Sequence, residues 1–298
     1  MATNAQRNEI RSFGSYPVST KTFIVYTNLM IDIEKVFDDD ILPITEYKIL
    51  QKKRGRKKKQ VEEDPNKNIP SGSIILVQYR DQYRGVKFKK SNSFFRNSMP
   101  IVMKVQDKLI SFKVSRKGKF QITGCKTNEQ AEICVLVFYN MIKPYKTTYN
   151  VTDGSHLKIH FEPVMYNIDF SVGFQIDRER LDIYINSKTQ YTSLLETTIG
   201  YTGVNIKMPV SDAKLKKIMI ECKEYRPNEV VISEVPFDTF CDKFKTKKKK
   251  TSYNTFLVFQ SGSVIMSGKT LSCMEDAYYE FFELVSKCFP QNFNLSVI

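Results

Sequence analysis

The residues best placed to do chemistry in this sequence are cations. KKRGRKKK (52–59) carries seven positive charges and KFKTKKKK (243–250) carries six. The whole chain is +14, so setting the two runs aside leaves only +1 for everything else. Blocks of like charge cannot pack together and must lie on exposed loops. Their chemistry is phosphate contact, through Lys52, Lys53, Arg54, Arg56 and Lys57 in one run and Lys247, Lys248 and Lys249 in the other. A solubility or localisation tag is the plainer use of such runs.

Groupings suited to catalysis are missing from the sequence. There is no clustered Asp/Glu set, no G-x-S-x-G, no phosphate loop and no Cys–His pair, so no enzyme, cofactor or small-molecule substrate is expected. Asp38–Asp40 reads as a solvated run at a helix end. His156 and His160 on the strand-like LKIHF would stand about 13 Å apart, too far to share a metal ion. The six cysteines include no C-x-x-C and read as reduced, mostly buried thiols. Hydrophobic residues make up 41% of the 298, enough for a substantial core. The longest apolar run, ICVLVFY (133–139), is far too short to span a membrane, and the polar start of the chain has no secretory signal. A soluble intracellular protein with no membrane partner is expected.

Two segments then show what must position a binding surface. LISFKVSRKGKFQITG (109–124) and TFLVFQSGSVIMSG (255–268) each alternate, turn at a glycine (Gly118, Gly262) and alternate again, which predicts two hairpins. A helix follows each. Thr127 with Gln130 and Ser272 with Glu275 form capping boxes. The second helix has an apolar stripe at Met274, Ala277/Tyr278, Phe281/Phe282, Val285 and Cys288/Phe289. The first is apolar almost all round and is expected to be the more deeply buried.

Upstream, YRGVKFK (83–89) matches YTGVNIK (201–207), and FIVYTNL (23–29) matches EPVMYNI (162–168), each of the latter followed by a helical candidate (32–41, 177–185). The shared order marks an internal duplication. The basic runs fall in the longer interval of each copy and read as insertions. The expected organisation is a tail at 1–19, a first repeat at 20–148 with an insert at about 51–70, and a second at 149–298 with an insert at about 241–252. Helices that cover one face of an antiparallel sheet leave the other face open, and an open apolar face needs a partner. The fold class is therefore α+β: two pseudo-repeats forming one continuous curved antiparallel sheet with helices on the convex face.

The two halves resemble the paired repeats of the TATA-binding protein family. QITGCKTNEQ (121–130) resembles that family's strand-to-helix turn, and FLVFQSGSVIMSGK (256–269) is similar to its second copy. The basic inserts and the Lys/Asn/Ile-rich composition are similar to TATA-binding-protein-like factors of large nucleocytoplasmic DNA viruses. The resemblance implies a saddle whose concave sheet sits on a widened minor groove of AT-rich double-stranded DNA and bends it. It implies groove contacts from Asn28 and Asn167 near the centre and from Thr123, Ser267 and Ile265 on the hairpins, with Gln121 departing from the apolar pattern at the place of Ile265. It implies aromatic wedges at Phe259, Tyr83 and Tyr201. Ser115, beside Val114, stands where a fourth wedge belongs, and Phe94 or Phe95 is the alternative to Tyr83 through the strand-like PIVMKV (100–105). RGR within the first basic run resembles the core of an AT-hook without its usual proline.

By the same resemblance the protein is a transcription initiation factor, a monomer on DNA that recruits RNA polymerase and a IIB-type factor. Glu196 is the only carboxylate close to Tyr201 for the latter contact. It would work in the host nucleus, in a cytoplasmic viral factory or from within the virion. The alternative is an interaction scaffold in a viral transcription or replication complex that no longer binds DNA specifically, with its open face filled by 89–100 or 208–254.

Overall fold

A computed structural model describes residues 11–49, 64–88, 96–195, 202–244 and 251–292. The class is α+β, and its ladders are antiparallel. The described residues form two compact units. The amino-terminal unit takes in 22–162 and 221–233; the carboxy-terminal unit takes in the rest, with the divisions falling inside strands. The division between the units falls at 162/163, whereas the repeat boundary read from the sequence is 148/149. The cause is local: the strand beginning at Tyr149 pairs with Leu29–Ile31 of the first unit.

In chain order the first unit contains β1 (Val18–Thr27, shared with the second), β2 (Leu29–Ile31), α1 (Ile33–Asp38), β3 (Ile74–Tyr79), β4 (Gln82–Gly85), β5 (Ser98–Val105), β6 (Lys108–Ser115), β7 (Lys119–Cys125), α2 (Asn128–Ile142), β8 (Tyr149–Val151) and the start of β9 (Leu157–Ser171). Its strands are ordered β1-β7-β6-β5-β3-β4. Period-two alternation decides the faces. Ile110, Phe112, Val114, Phe120 and Ile122 are buried on the side of α2, where the Phe120 and Phe138 rings meet edge to face at 5.4 Å. Ser111, Lys113, Gln121 and Thr123 alternate with them and point the other way.

The second unit continues with α3 (Arg178–Lys188), β10 (Thr192–Leu195), β11 (Gly203–Pro209) and α4 (Asp212–Lys216); β12 (Met219–Tyr225) and β13 (Val230–Pro236) come next in the chain but belong mostly to the first unit; α5 (Phe237–Phe244), β14 (Tyr253–Phe259), β15 (Ser263–Gly268) and α6 (Leu271–Cys288) complete the second. Its order is β10-β11-β14-β15-β9. α6 lays the whole expected stripe against Val258, Val264, Met266 and Phe256, the last stacked on Phe281 at 4.5 Å. α6 buries ten side chains and α2 six, which reverses the expected order. The reason is that α6 is covered twice: Phe13 and Tyr16 from the amino-terminal segment pack onto Tyr278 from outside.

Both hairpins form where expected. Thr127 caps α2 by accepting from Gln130 N–H, while the Gln130 side chain accepts from Lys126 N–H at 2.7 Å. The second cap is corrected. α6 starts one turn-half earlier than the S-x-x-E box implies, and Thr270 rather than Ser272 accepts from Cys273 N–H.

Backbone contacts define the duplication better than sequence does. Thr27 N–H donates to Gly118 O at 3.1 Å, and Val172 N–H donates to Gly262 O at 2.9 Å. Asp32 and Asp177 cap the following helices through Lys35 N–H and Arg180 N–H. These pairs make Thr27 equivalent to Val172 and Asp32 equivalent to Asp177. Asn28 therefore corresponds to Gly173, and Asn167 to Thr22, so the two asparagines are not counterparts. The match of YRGVKFK to YTGVNIK fails as well. β11 pairs with the first hairpin strand, as β5 does in the other unit, whereas β4 only hairpins onto β3. The strand at 98–105 is the true equivalent of β11.

Gly118 and Gly262 have φ of +61° and +82°, and a Cβ would meet Leu29 O at 2.3 Å or Phe174 O at 2.0 Å. We predict that Gly262→Ala lowers unfolding free energy by at least about 2 kcal/mol in urea titration. Gly14→Ala, with nothing within 4 Å of the new methyl, should stay near wild type. Equal stability of the two variants would refute the assigned docking of the turn.

Candidate nucleic-acid interface

The sheet of the carboxy-terminal unit buries one face under α6 and leaves the other uncovered by described residues. Register places Leu194, Asn205, Leu257, Ile265 and Asp169 in one cross-strand row of that face. Thr192, Lys207, Thr255, Ser267 and Asn167 form the next row. Phe259 stands opposite Gly203, whose missing side chain leaves room for Leu257: a Cβ there would lie 2.6 Å from Leu257 Cδ1. Every side chain in these rows is half-buried or exposed, Leu194 reaching 58%. The structure thus brings together Phe259, Ile265, Ser267 and Asn167. The Asn167 side-chain oxygen is shut off from solvent and has no partner among the described residues. Sequence reading missed Leu257, Lys207 and Leu194; the alternation of TFLVF and GVNIKM carried their orientation, but only the ladder register shows that they share the rows of Ile265 and Ser267.

The corresponding face of the amino-terminal unit differs in chemistry. Thr123 lies opposite Ser111, to whose carbonyl its hydroxyl donates at 3.2 Å. Gln121 lies opposite Lys113, which lies opposite Pro100. Where the second unit has Phe259, Leu257 and Ile265, the first has Ser115, Lys113 and Gln121. The apolar cluster is thus confined to the second unit, and Ser115 and Gln121 stand in the first at the two places where the sequence departs from the pattern.

Two expected contacts are placed elsewhere. Asn28 is buried, with Nδ2 donating to Asp153 O and His156 O and Oδ1 accepting from Lys158 N–H, all at 2.7–2.8 Å. Its amide clamps the turn between β8 and β9 and has nothing left for a base edge. Tyr83 is 48% exposed on β4 and lines an open hollow with Phe37, Asp38, Asp40 and Asp81. Arg84 pairs with Asp40 at 2.6 Å, and Lys87 Nζ stands 5.1 Å over the Tyr83 ring, so charges of both signs surround it. β4 hairpins onto β3 and has no equivalent in the other unit, so Tyr83 is not the counterpart of Tyr201. Tyr201, Glu196, Phe94, Phe95 and the basic residues Lys52, Lys53, Arg54, Arg56, Lys57, Lys247, Lys248 and Lys249 lie outside the described residues.

The described part of the 208–254 insertion does not fill the open face. Lys214 of α4 pairs with Asp276 on α6 at 2.5 Å, and Lys269 Nζ sits 3.5 Å over the Phe237 ring at the start of α5. β12 pairs with the Leu157–Phe161 stretch of β9. All six cysteines are unbridged and buried, as expected. No helix among the described residues is long and apolar enough to cross a membrane.

Removing the Asn28 amide should unpair a buried N–H and two carbonyls. We predict that Asn28→Ala costs about 2 kcal/mol or more in chemical denaturation. A neutral effect would return Asn28 to the list of surface readers.

No protein-family model matches the chain. Over 224 residues, 71% of the chain, it is 26% identical to an uncharacterized protein, 335L, of Invertebrate iridescent virus 6, of which the match covers 67%. Over 241 residues, 76% of the chain, it is 25% identical to a TATA-box-binding protein-like protein of Acanthamoeba polyphaga mimivirus; that match spans 56% of the relative's length. Among solved structures, Methanococcus jannaschii TBP aligns over 91% of the chain and 98% of its own, at 14% identity and a TM-score of 0.45. The chain is thus similar, over three-quarters of its length, to a viral TATA-box-binding protein-like protein, as the two hairpin–helix units implied.

Proposed function

We propose, starting from that similarity, that this chain is a transcription initiation factor that binds AT-rich promoter DNA in the minor groove and bends it. The observation that carries the reading is the uncovered face of the carboxy-terminal sheet. It presents Phe259, Leu257 and Ile265 beside the small polar groups of Ser267, Thr255 and Asn167. The minor groove of A·T pairs offers acceptors and apolar walls, so apolar contacts with a few donors fit it. Phe259, at the end of its strand, is the side chain suited to enter a base step. The basic runs at 52–59 and 243–250 supply phosphate contact, and RNA polymerase with a IIB-type factor are the proposed partners. The site of action is a host nucleus, a viral factory or the virion.

A second reading is a scaffold without specific DNA binding. Ser115, Lys113 and Gln121 on the amino-terminal sheet favour it, because they replace apolar groove contacts by polar ones.

The test compares AT-rich and GC-rich duplexes by mobility shift at two salt concentrations, with a circular-permutation assay for bending. The AT-rich duplex should bind more tightly, with affinity falling as salt rises. Phe259→Ala should weaken binding about tenfold or more, the loss of one stacked ring, and reduce the bend. Equal affinity for both duplexes with no bend favours the scaffold.

A further inference from the structure

The insertion between β11 and β14 includes an arm that the proposed DNA contact does not use. Within the amino-terminal unit, β12 joins the edge of β9 through five residue pairs, from Glu221 with Phe161 to Tyr225 with Leu157. The attachment is firm. Lys223 Nζ bonds Glu132 of α2 at 2.6 Å and Glu221 at 3.3 Å, and the Tyr225 hydroxyl donates to Glu132 as well. Burial, then the Glu132 contact, pushes the Tyr225 hydroxyl well above its ordinary value, which keeps this donor protonated. β13 pairs with β12 and, among the described residues, with no other strand.

An exposed strand edge is a template for a further strand, and proteins normally blunt it with lysine, proline or a bulge. β13 carries Val230 at 48% exposure and Ile232 at 62%, two apart and so on one face, with the first proline only at its end. The charge around it is negative in sum, although three of its four glutamates, Glu221, Glu224 and Glu229, are ion-paired. Between Met219 and Pro236 stand four glutamates and two cations. Both cations are already paired, Lys223 as above and Arg226 with Glu229 at 3.0 Å and Glu224 at 3.4 Å. In a chain of net +14 this is a local acidic surface, which repels DNA and attracts a basic polypeptide.

We propose that β13 is a docking edge for an extended, lysine- or arginine-bearing segment of another protein, added as a strand beside Val230–Ser233. Backbone hydrogen bonds supply the pairing. Val230 and Ile232 contact alternate apolar side chains of the incoming strand, and Glu234 on β13, with the net negative charge of the arm, selects its basic ones. This surface is independent of the DNA reading.

The test titrates the full chain with a fluorescent peptide of about six residues that alternates lysine with valine or isoleucine, and with its glutamate counterpart. The lysine peptide should bind at least about tenfold more tightly than the glutamate one. A Val230→Lys/Ile232→Lys double variant should lose about tenfold of that affinity while its DNA mobility shift and melting curve stay as in wild type. Hydrogen exchange on the unmutated protein should show new amide protection in β13 when the lysine peptide is added. No binding, equal binding of both peptides, or protection elsewhere would overturn the proposal. So would a concentration-dependent dimer dissolved by the double variant, which assigns the edge to a second copy of this chain.

Discussion

Two backbone hydrogen bonds, Thr27 N–H to Gly118 O and Val172 N–H to Gly262 O, hold each hairpin turn against the chain at the end of a central strand. The rest of each unit depends on that lock because the side-chain period in a strand is two. A slip of one residue would exchange the buried and open sets completely. With the turn fixed, Val258, Val264 and Met266 must face α6, and Leu257, Phe259, Ile265 and Ser267 must face away. Glycine is required because the turn is left-handed and the next backbone passes within 2.0–2.3 Å of where a Cβ would be. Stability and the candidate interface thus share one geometric condition.

Much of this was legible in the sequence because its signals are local. Alternation about Gly118 and Gly262, the Thr127 cap and the 3.6-residue stripe of α6 each need only a few neighbouring residues to be read. What misled was similarity without register. YRGVKFK and YTGVNIK look alike, yet one is an added edge strand and the other pairs with the hairpin. Asn28 and Asn167 each end a similar run, but the caps at Asp32 and Asp177 show them to be offset by several residues. Nothing local distinguishes a buried clamp from a surface reader. That distinction comes from Asp153, His156 and Lys158, more than a hundred residues along the chain. The same limit explains why the 219–236 arm went unread as an element: its first strand, β12, pairs with β9, far upstream.

The duplication also conceals a division of labour. Equivalent open positions hold Phe259, Leu257 and Ile265 in one unit and Ser115, Lys113 and Gln121 in the other. Apolar side chains gain by leaving water and can separate stacked bases, whereas serine, lysine and glutamine lose hydration and must find polar partners in return. On the proposed function, the carboxy-terminal unit would be the half that deforms the duplex and the amino-terminal unit the half that holds it.

Charge follows the same logic at a larger scale. The two basic runs account for nearly the whole net charge, so the remaining chain is close to neutral. A neutral face reads shape and base edges at short range, while long-range attraction to phosphate comes from cations and decays within roughly 8–10 Å at physiological salt. On the proposed function those tasks would fall to different parts of the chain: Phe259, Leu257 and Ile265 on a registered sheet, and the lysines and arginines of the two basic runs. On that proposal, separating them would let affinity change with the length or charge of a run without moving a single side chain of the face. It also explains how the repeats can diverge in their basic insertions while keeping the same hairpin lock.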